Sequence, residues 1–149
     1  MNPSGHFNIR VYGLLINTLK QVLITDEYRM GMYMTKFPGG GLEYGEGTIE
    51  CLKREFKEEL DINVSIKAHF YTTDYFQKAL FFKDMQLISI YYLVESTDID
   101  KIPTTSVINQ IPKVEGAQAF RWVAIESLTP DKFTFPIDQK VLELLKATL

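Results

Sequence analysis

A glycine-rich turn running straight into an acid-rich helix constrains this chain more than any other feature. Gly40 to Ile62 reads GGLEYGEGTIECLKREFKEELDI. Phe37-Pro38-Gly39-Gly40-Gly41 cannot be helical, so it is expected to end a short strand and form a tight loop. From Thr48 to Leu60, apolar Ile49, Leu52, Phe56 and Leu60 recur at spacings of three, four and four, a helical stripe for a core face. Glu55, Glu58 and Glu59 fall within an arc of about 100° on that helix, beside the stripe rather than opposite it. They are therefore expected at the helix–sheet border, on the floor of a cleft. Like charges at such spacings repel and weaken a helix. Lys53, Arg54 and Lys57 can offset them by local pairing on a solvated face. A multivalent cation is the other solution, and oxygen-rich clusters suit Mg²⁺ and Mn²⁺.

The rest of the chain reads as one domain over residues 1–149, with no internal repeat, low-complexity run or linker. Phe7–Asn17 and Gln21–Thr25 are rich in Ile, Val, Leu and Tyr and predict two strands, with polar Asp26–Met34 following as a loop. Val64–Phe76, Leu87–Glu95 and Phe120–Ile125 predict further strands. Pro136–Leu149 opens with a first-turn proline and carries Val141, Leu142, Leu144 and Leu145, so a C-terminal helix follows. Strands, a helix, more strands and a final helix give an α/β pattern. The net charge of −3 argues against a nucleic-acid backbone as partner. It leaves phosphate substrates open, because a bound metal reverses the local sign. Cys51 is the single cysteine, so no intramolecular disulfide can form and a structural role is expected. With no apolar run of membrane-spanning length and no signal-peptide pattern, a cytoplasmic protein without a membrane partner is expected.

The stretch resembles the Nudix box: glycine, five residues, glutamate, seven residues, then Arg-Glu-apolar-x-Glu-Glu-x-Gly-apolar. Gly40, Glu46, Arg54, Glu55, Phe56, Glu58, Glu59 and Ile62 all fall in register. A chance match over all registers of the chain is on the order of 10⁻⁵ from average residue usage. Two positions depart. Phe56 stands where a smaller aliphatic is commoner, and Asp61 stands where the family has glycine. Asp is among the few other residues that visit the left-handed backbone needed past a helix end, so Asp61 is expected to keep the turn.

The resemblance implies a Nudix fold, a mixed β-sheet sandwiched between α-helices, and a Mg²⁺-dependent pyrophosphohydrolase, with Mn²⁺ as an alternative ion. The implied substrate is a small nucleotide, a nucleoside triphosphate first. An ADP-sugar pyrophosphatase or a non-catalytic nucleotide sensor are the competing readings, and homodimerisation stays open. Glu58 and Glu59 are implied metal ligands, and Glu55 is either a third ligand or the general base. The Gly39 carbonyl is a further candidate ligand. Arg54 orients a box carboxylate, and Glu46 braces the loop or binds metal through water, with Glu43 in the same turn. Glu115 is a candidate ligand or base, with Glu95 behind it. Arg29 and Lys36 are candidate phosphate-binding cations, while Arg10 and Arg121 sit in strands and can face either way. Asp138 is a candidate contact to a base. Tyr71, Tyr75 and Phe76 read as core or edge-strand residues that could also stack a base. His6 and His69 have no ligand spacing and receive no role.

Overall fold

A computed structural model describes residues 5–149. These residues form four strands, a helix, three more strands and a second helix in chain order: β1 (His6–Leu15), β2 (Gln21–Arg29), β3 (Met32–Lys36), β4 (Gly39–Gly41), α1 (Thr48–Leu60), β5 (Ser65–Thr72), β6 (Met85–Glu95), β7 (Gln118–Ala124) and α2 (Pro136–Thr148). One sheet has the order β4-β1-β6-β5 and the other β3-β2-β7. The first is mixed: β1 runs parallel to β6 and antiparallel to β4.

Each central strand is apolar on both sides because each side meets a different helix. On β1, Val11 and Leu15 pack with Leu52, Phe56 and Leu60 of α1. The intervening Tyr12 and Leu14 pack with Val141, Leu142 and Leu145 of α2. On β2, Leu23 joins the first cluster, and Val22 and Ile24 the second. The two-residue period of a strand sorts the chain's Val, Leu and Ile into two cores. Burying each large apolar side chain contributes about 1.5–3 kcal/mol. The sheets thus lie between the helices, as expected.

Several local expectations need correction. Asp26–Met34 is not a loop: β2 continues to Arg29, and β3 begins at Met32 after a turn in which Met30 and Gly31 have φ of 52° and 75°. The segment is polar because its buried acids are paired. Asp26 accepts from Arg121 Nε at 2.6 Å and Nη2 at 3.0 Å, and from Thr35 Oγ1 at 2.8 Å. Arg121 is thereby assigned to structure. Gly39–Gly41 forms a short strand on β1 rather than only a loop. An added Cβ at Gly39 (φ +154°) would lie 2.1 Å from the Val11 carbonyl, so only glycine permits this pairing. Ile49 is 43% exposed, because burial on α1 begins only at Cys51. The predicted strand Val64–Phe76 stops at Thr72, after two register shifts against β6.

Asp61 closes α1 as the resemblance led one to expect. It sits in the left-handed region at φ 53°, and its N–H donates to the Lys57 carbonyl at 3.0 Å. Lys57 Nζ lies 2.9 Å from its carboxylate, which offsets the negative charge at the helix end. No helix among the described residues is long and apolar enough to cross a membrane.

Gly13 shows how tightly α1 is seated. An added Cβ would meet Phe56 Cε2 at 2.7 Å and Val94 Cγ2 at 3.3 Å, inside a closed core. Gly13→Ala is therefore expected to destabilise the fold by about 1–3 kcal/mol. Urea unfolding would measure it, and an unchanged midpoint would refute this account of the α1 packing.

Candidate functional site

The cleft lies where the glycine strand β4, the outer part of β1 and helix α1 meet. It encloses about 350 Å³, within the range of small-molecule sites. Its acidic wall is formed by Glu55 and Glu59, next to Gly39–Gly41. Arg10, Arg29 and Lys36 supply positive charge, and Leu80, Phe81, Phe82 and Phe135 form an apolar wall.

Arg54 organises the acidic side. Its Nε and Nη2 donate to Glu46 at 2.9 and 2.7 Å, a two-pronged pair. Nη1 donates to Glu55 at 3.0 Å and to Glu58 at 3.2 Å, and Nη2 reaches the Gly41 carbonyl at 3.1 Å. One guanidinium thus ties the turn before α1, the glycine strand and two helix carboxylates together. The Arg54 hydrogen bonds, joined by the Glu43 N–H at 3.0 Å, hold the Glu46 carboxyl down at about 2. Glu43 itself stays exposed, 3.7 Å from Arg54.

Glu55 sits against the glycine strand so closely that a Cβ on Gly40 would lie 2.4 Å from its carboxylate. The glycine here makes room for a charged group. Glu59 is pushed up to about 7, first by burial and then by the charges of Glu27 and Glu55. Two acids of the box therefore face the cleft, Glu55 paired with Arg54 and Glu59 pressed by like charge.

Glu58 does not line the cleft. It is largely exposed and shares Arg54 Nη1 with Glu55, so it stands outside the cleft that Glu55 and Glu59 line. Among the described residues, no three His, Cys, Asp or Glu side chains converge into a finished metal cage. The donors that do face the cleft still suit a hard cation. Mg²⁺ keeps several waters and takes one or two carboxylates together with substrate phosphates. Glu55 and Glu59, two carboxylates lining one cleft, match that demand.

Gly39, Arg29, Lys36, Glu115 and Asp138 all border the cleft. The two cations are paired with one buried acid. Arg29 Nε and Lys36 Nζ lie 2.8 and 3.2 Å from the Glu27 carboxylate. Glu115 is exposed at the rim, where it accepts the Met30 N–H at 2.8 Å and pins the β2–β3 turn. Asp138 is buried on the cleft floor and accepts the Tyr91 hydroxyl at 2.5 Å. Burial raises its carboxyl to about 7, against the opposing hydrogen bond from Tyr91 and the charges of Lys36 and Arg10. Tyr71, Tyr75, Phe76 and Glu95 do not reach the cleft, and Lys140 instead sits over the rings of Tyr71 and Tyr75 at 5.2 and 4.9 Å.

Sequence reasoning missed Glu27 and the Leu80–Phe82 wall. Glu27 was hidden in a stretch read as loop. Leu80, Phe81 and Phe82 carry no periodic signal, since they lie in the connection between β5 and β6.

The NUDIX domain family profile matches residues 6–145. No curated protein matches the chain. Solved structures do match in fold. The Escherichia coli ORF135 protein aligns at TM-score 0.69 and 17% identity, over 99% of this chain and 94% of that one. A NUDIX hydrolase from Nitrosomonas europaea aligns at 0.70 and 16%, over 95% and 89%. A MutT protein from Methanosarcina mazei aligns at 0.70 and 16%, over 99% and 98%.

Two measurements test this geometry. Gly40→Ala should displace the Glu55 carboxylate and lower any activity of the cleft at least tenfold while the protein stays folded; an unchanged rate would refute the close seating. Asp138, with a folded-state value of about 7 against an ordinary 3.8, binds its proton more tightly when folded. Its contribution is complete below about pH 4 and is lost as the pH rises to about 7. Asp138→Asn should therefore gain thermal midpoint relative to the wild type between those limits and hold a constant gap above. A pH-independent difference would show that Asp138 is not held protonated.

Proposed function

The chain belongs to the Nudix family of hydrolases, which act on nucleoside diphosphate-linked substrates, and we propose that it is a divalent-metal-dependent pyrophosphohydrolase whose substrate is a nucleoside triphosphate. The observation that carries the reading is the pair Glu55 and Glu59, facing the cleft beside a strand of three glycines, with Glu55 oriented by Arg54 and Glu59 pressed by the charges of Glu27 and Glu55. A bound magnesium or manganese ion would neutralise phosphate charge and make a coordinated water more acidic. Glu55 and Glu59 are the residues assigned to hold it, with the Gly39 carbonyl and Glu115 as further donors. Glu58 completes the set implied by the box; its exposed side chain must first leave Arg54.

The chain's own groups would do the rest. Arg54 fixes the orientation of Glu55, which either serves as a ligand or takes the proton of the attacking water. A carboxylate is able to do both. Lys36 and Arg29, buffered by Glu27, favour an anionic substrate without leaving the empty cleft strongly positive. Asp138 and the apolar wall would face the remainder of the nucleotide. A cleft of this size favours a small substrate. The net charge of −3 and the lone cysteine support the accompanying proposals of a cytoplasmic setting and no nucleic-acid partner.

A nucleotide panel with magnesium, read by phosphate release after added pyrophosphatase, tests the assignment. Turnover of a nucleoside triphosphate is expected. Turnover of ADP-ribose alone would select an ADP-sugar substrate instead, and binding without turnover would make the domain a sensor. On the substrate found, Glu55→Gln, Glu58→Gln and Glu59→Gln should each lower kcat about a hundredfold, as is typical when a group that stabilises transition-state charge is removed. A Glu59→Gln enzyme of unaltered rate would overturn the metal assignment.

A further inference from the structure

Arg10 is the one cleft cation whose charge no protein carboxylate takes up among the described residues. Arg29 and Lys36 are committed to Glu27, Arg54 to Glu46, Glu55 and Glu58, and Arg121 to Asp26. Arg10 is partly buried, yet among the described residues it makes only one side-chain hydrogen bond, from Nε to the Tyr12 hydroxyl at 3.1 Å. A guanidinium has five N–H donors. The four on its two terminal nitrogens have no protein partner among the described residues. Ordering and partly desolvating such a group is costly unless something answers it.

Its surroundings hold that end open and in place. The guanidinium carbon lies 5.8 Å from the centre of the Tyr12 ring, and Lys36 Nζ lies 5.9 Å from the same ring. Arg10 pairs in register with Gly41 on one side and Ser89 on the other. A Cβ on Gly41 would come within 3.3 Å of Nη1, so the glycine leaves that nitrogen uncovered. Glu55 and Glu27 act on Arg10 electrostatically without contact, and they help to keep it charged although burial works the other way.

We propose that Arg10 is the anchor for a phosphate group of the substrate, gripping two of its oxygens from the sheet side of the cleft, across from Glu55 and Glu59. Two parallel N–H donors match the spacing of two phosphate oxygens, and an arginine held by its Nε presents that fork ready-made. Tyr12 is then a positioning residue, since its hydroxyl fixes the plane of the guanidinium. The assignment rests on the phosphate-substrate reading above and goes beyond the residues of the box. It makes Arg10 responsible for affinity rather than for the chemical step.

The experiment uses the full chain and inorganic pyrophosphate as probe, first in metal-free buffer by calorimetry. Arg10→Met should weaken pyrophosphate binding tenfold or more. Arg10→Lys, which keeps the charge and loses the fork, should fall between Arg10→Met and wild type. Tyr12→Phe should weaken binding severalfold. On the nucleotide turned over in the panel, Arg10→Met should raise KM at least tenfold while kcat stays within threefold. Wild-type affinity in a folded Arg10→Met protein, or loss confined to kcat, would overturn the proposal. Should Arg10→Met fail to fold, wild-type affinity in both Arg10→Lys and Tyr12→Phe would overturn it equally. Pyrophosphate binding that depends on Arg10, without turnover of any nucleotide, would leave the anchor standing and sink the hydrolase reading.

Discussion

One guanidinium joins the parts of the cleft that the backbone alone would leave loose. Arg54 faces four acceptors at once: the Glu46, Glu55 and Glu58 carboxylates and the Gly41 carbonyl. The turn Leu42–Gly47 has no core of its own, and the glycines of β4 give it little stiffness. Charge-assisted, two-pronged hydrogen bonds supply what packing cannot. Because the same side chain holds the loop and orients Glu55, the loop cannot shift without moving an acid of the site. Lysine could not reproduce this, having a single charged nitrogen and no planar fork.

Around that anchor, the fold keeps its two jobs apart. The inner halves of β1 and β2 are apolar on both faces and hold the helices. The outer half of β1 turns Asn8, Arg10 and Tyr12 to the cleft, in the same two-residue alternation that sorts the cores. Tyr12 belongs to both regions. Its ring stacks on Tyr91 at 5.1 Å within the α2 core, and its hydroxyl reaches out to Arg10. Charge in the cleft is organised by pairing. Glu27 absorbs two cations, so its burial is tolerable, and it in turn presses on Glu59.

How much of this was readable in advance follows from where each signal resides. The acidic helix was legible because its chemistry and its period lie within one contiguous stretch, and the α/β arrangement followed from the order of elements. The left-handed cap at Asp61 was legible for the same local reason. The β2–β3 hairpin was misread because Asp26 and Glu27 look like loop residues until their partners appear. Arg121, the partner of Asp26, lies far along the chain. Ile49 falls within the helical stripe, yet periodicity carries no information about where along a helix the neighbouring sheet begins. Glu58 was grouped with its neighbours by angle, which carries nothing about its exposure or about the Arg54 nitrogen that it shares with Glu55. The orientation of Arg10 depends on strand register, which only the assembled sheet fixes.

The parallel pairing of β1 with β6 has a kinetic corollary. His6 aligns with Met85 and Leu15 with Val94, so the two central neighbours of the mixed sheet come from opposite halves of the chain. The hairpin at Met30-Gly31 can zip locally, but this pairing must wait for closure of a very long loop, whose entropy is spent before any contact rewards it. The cleft floor, with Arg10 and Ser89 side by side, is therefore completed late in folding. A newly made chain acquires its helices and local hairpin before it acquires a surface able to recognise an anion.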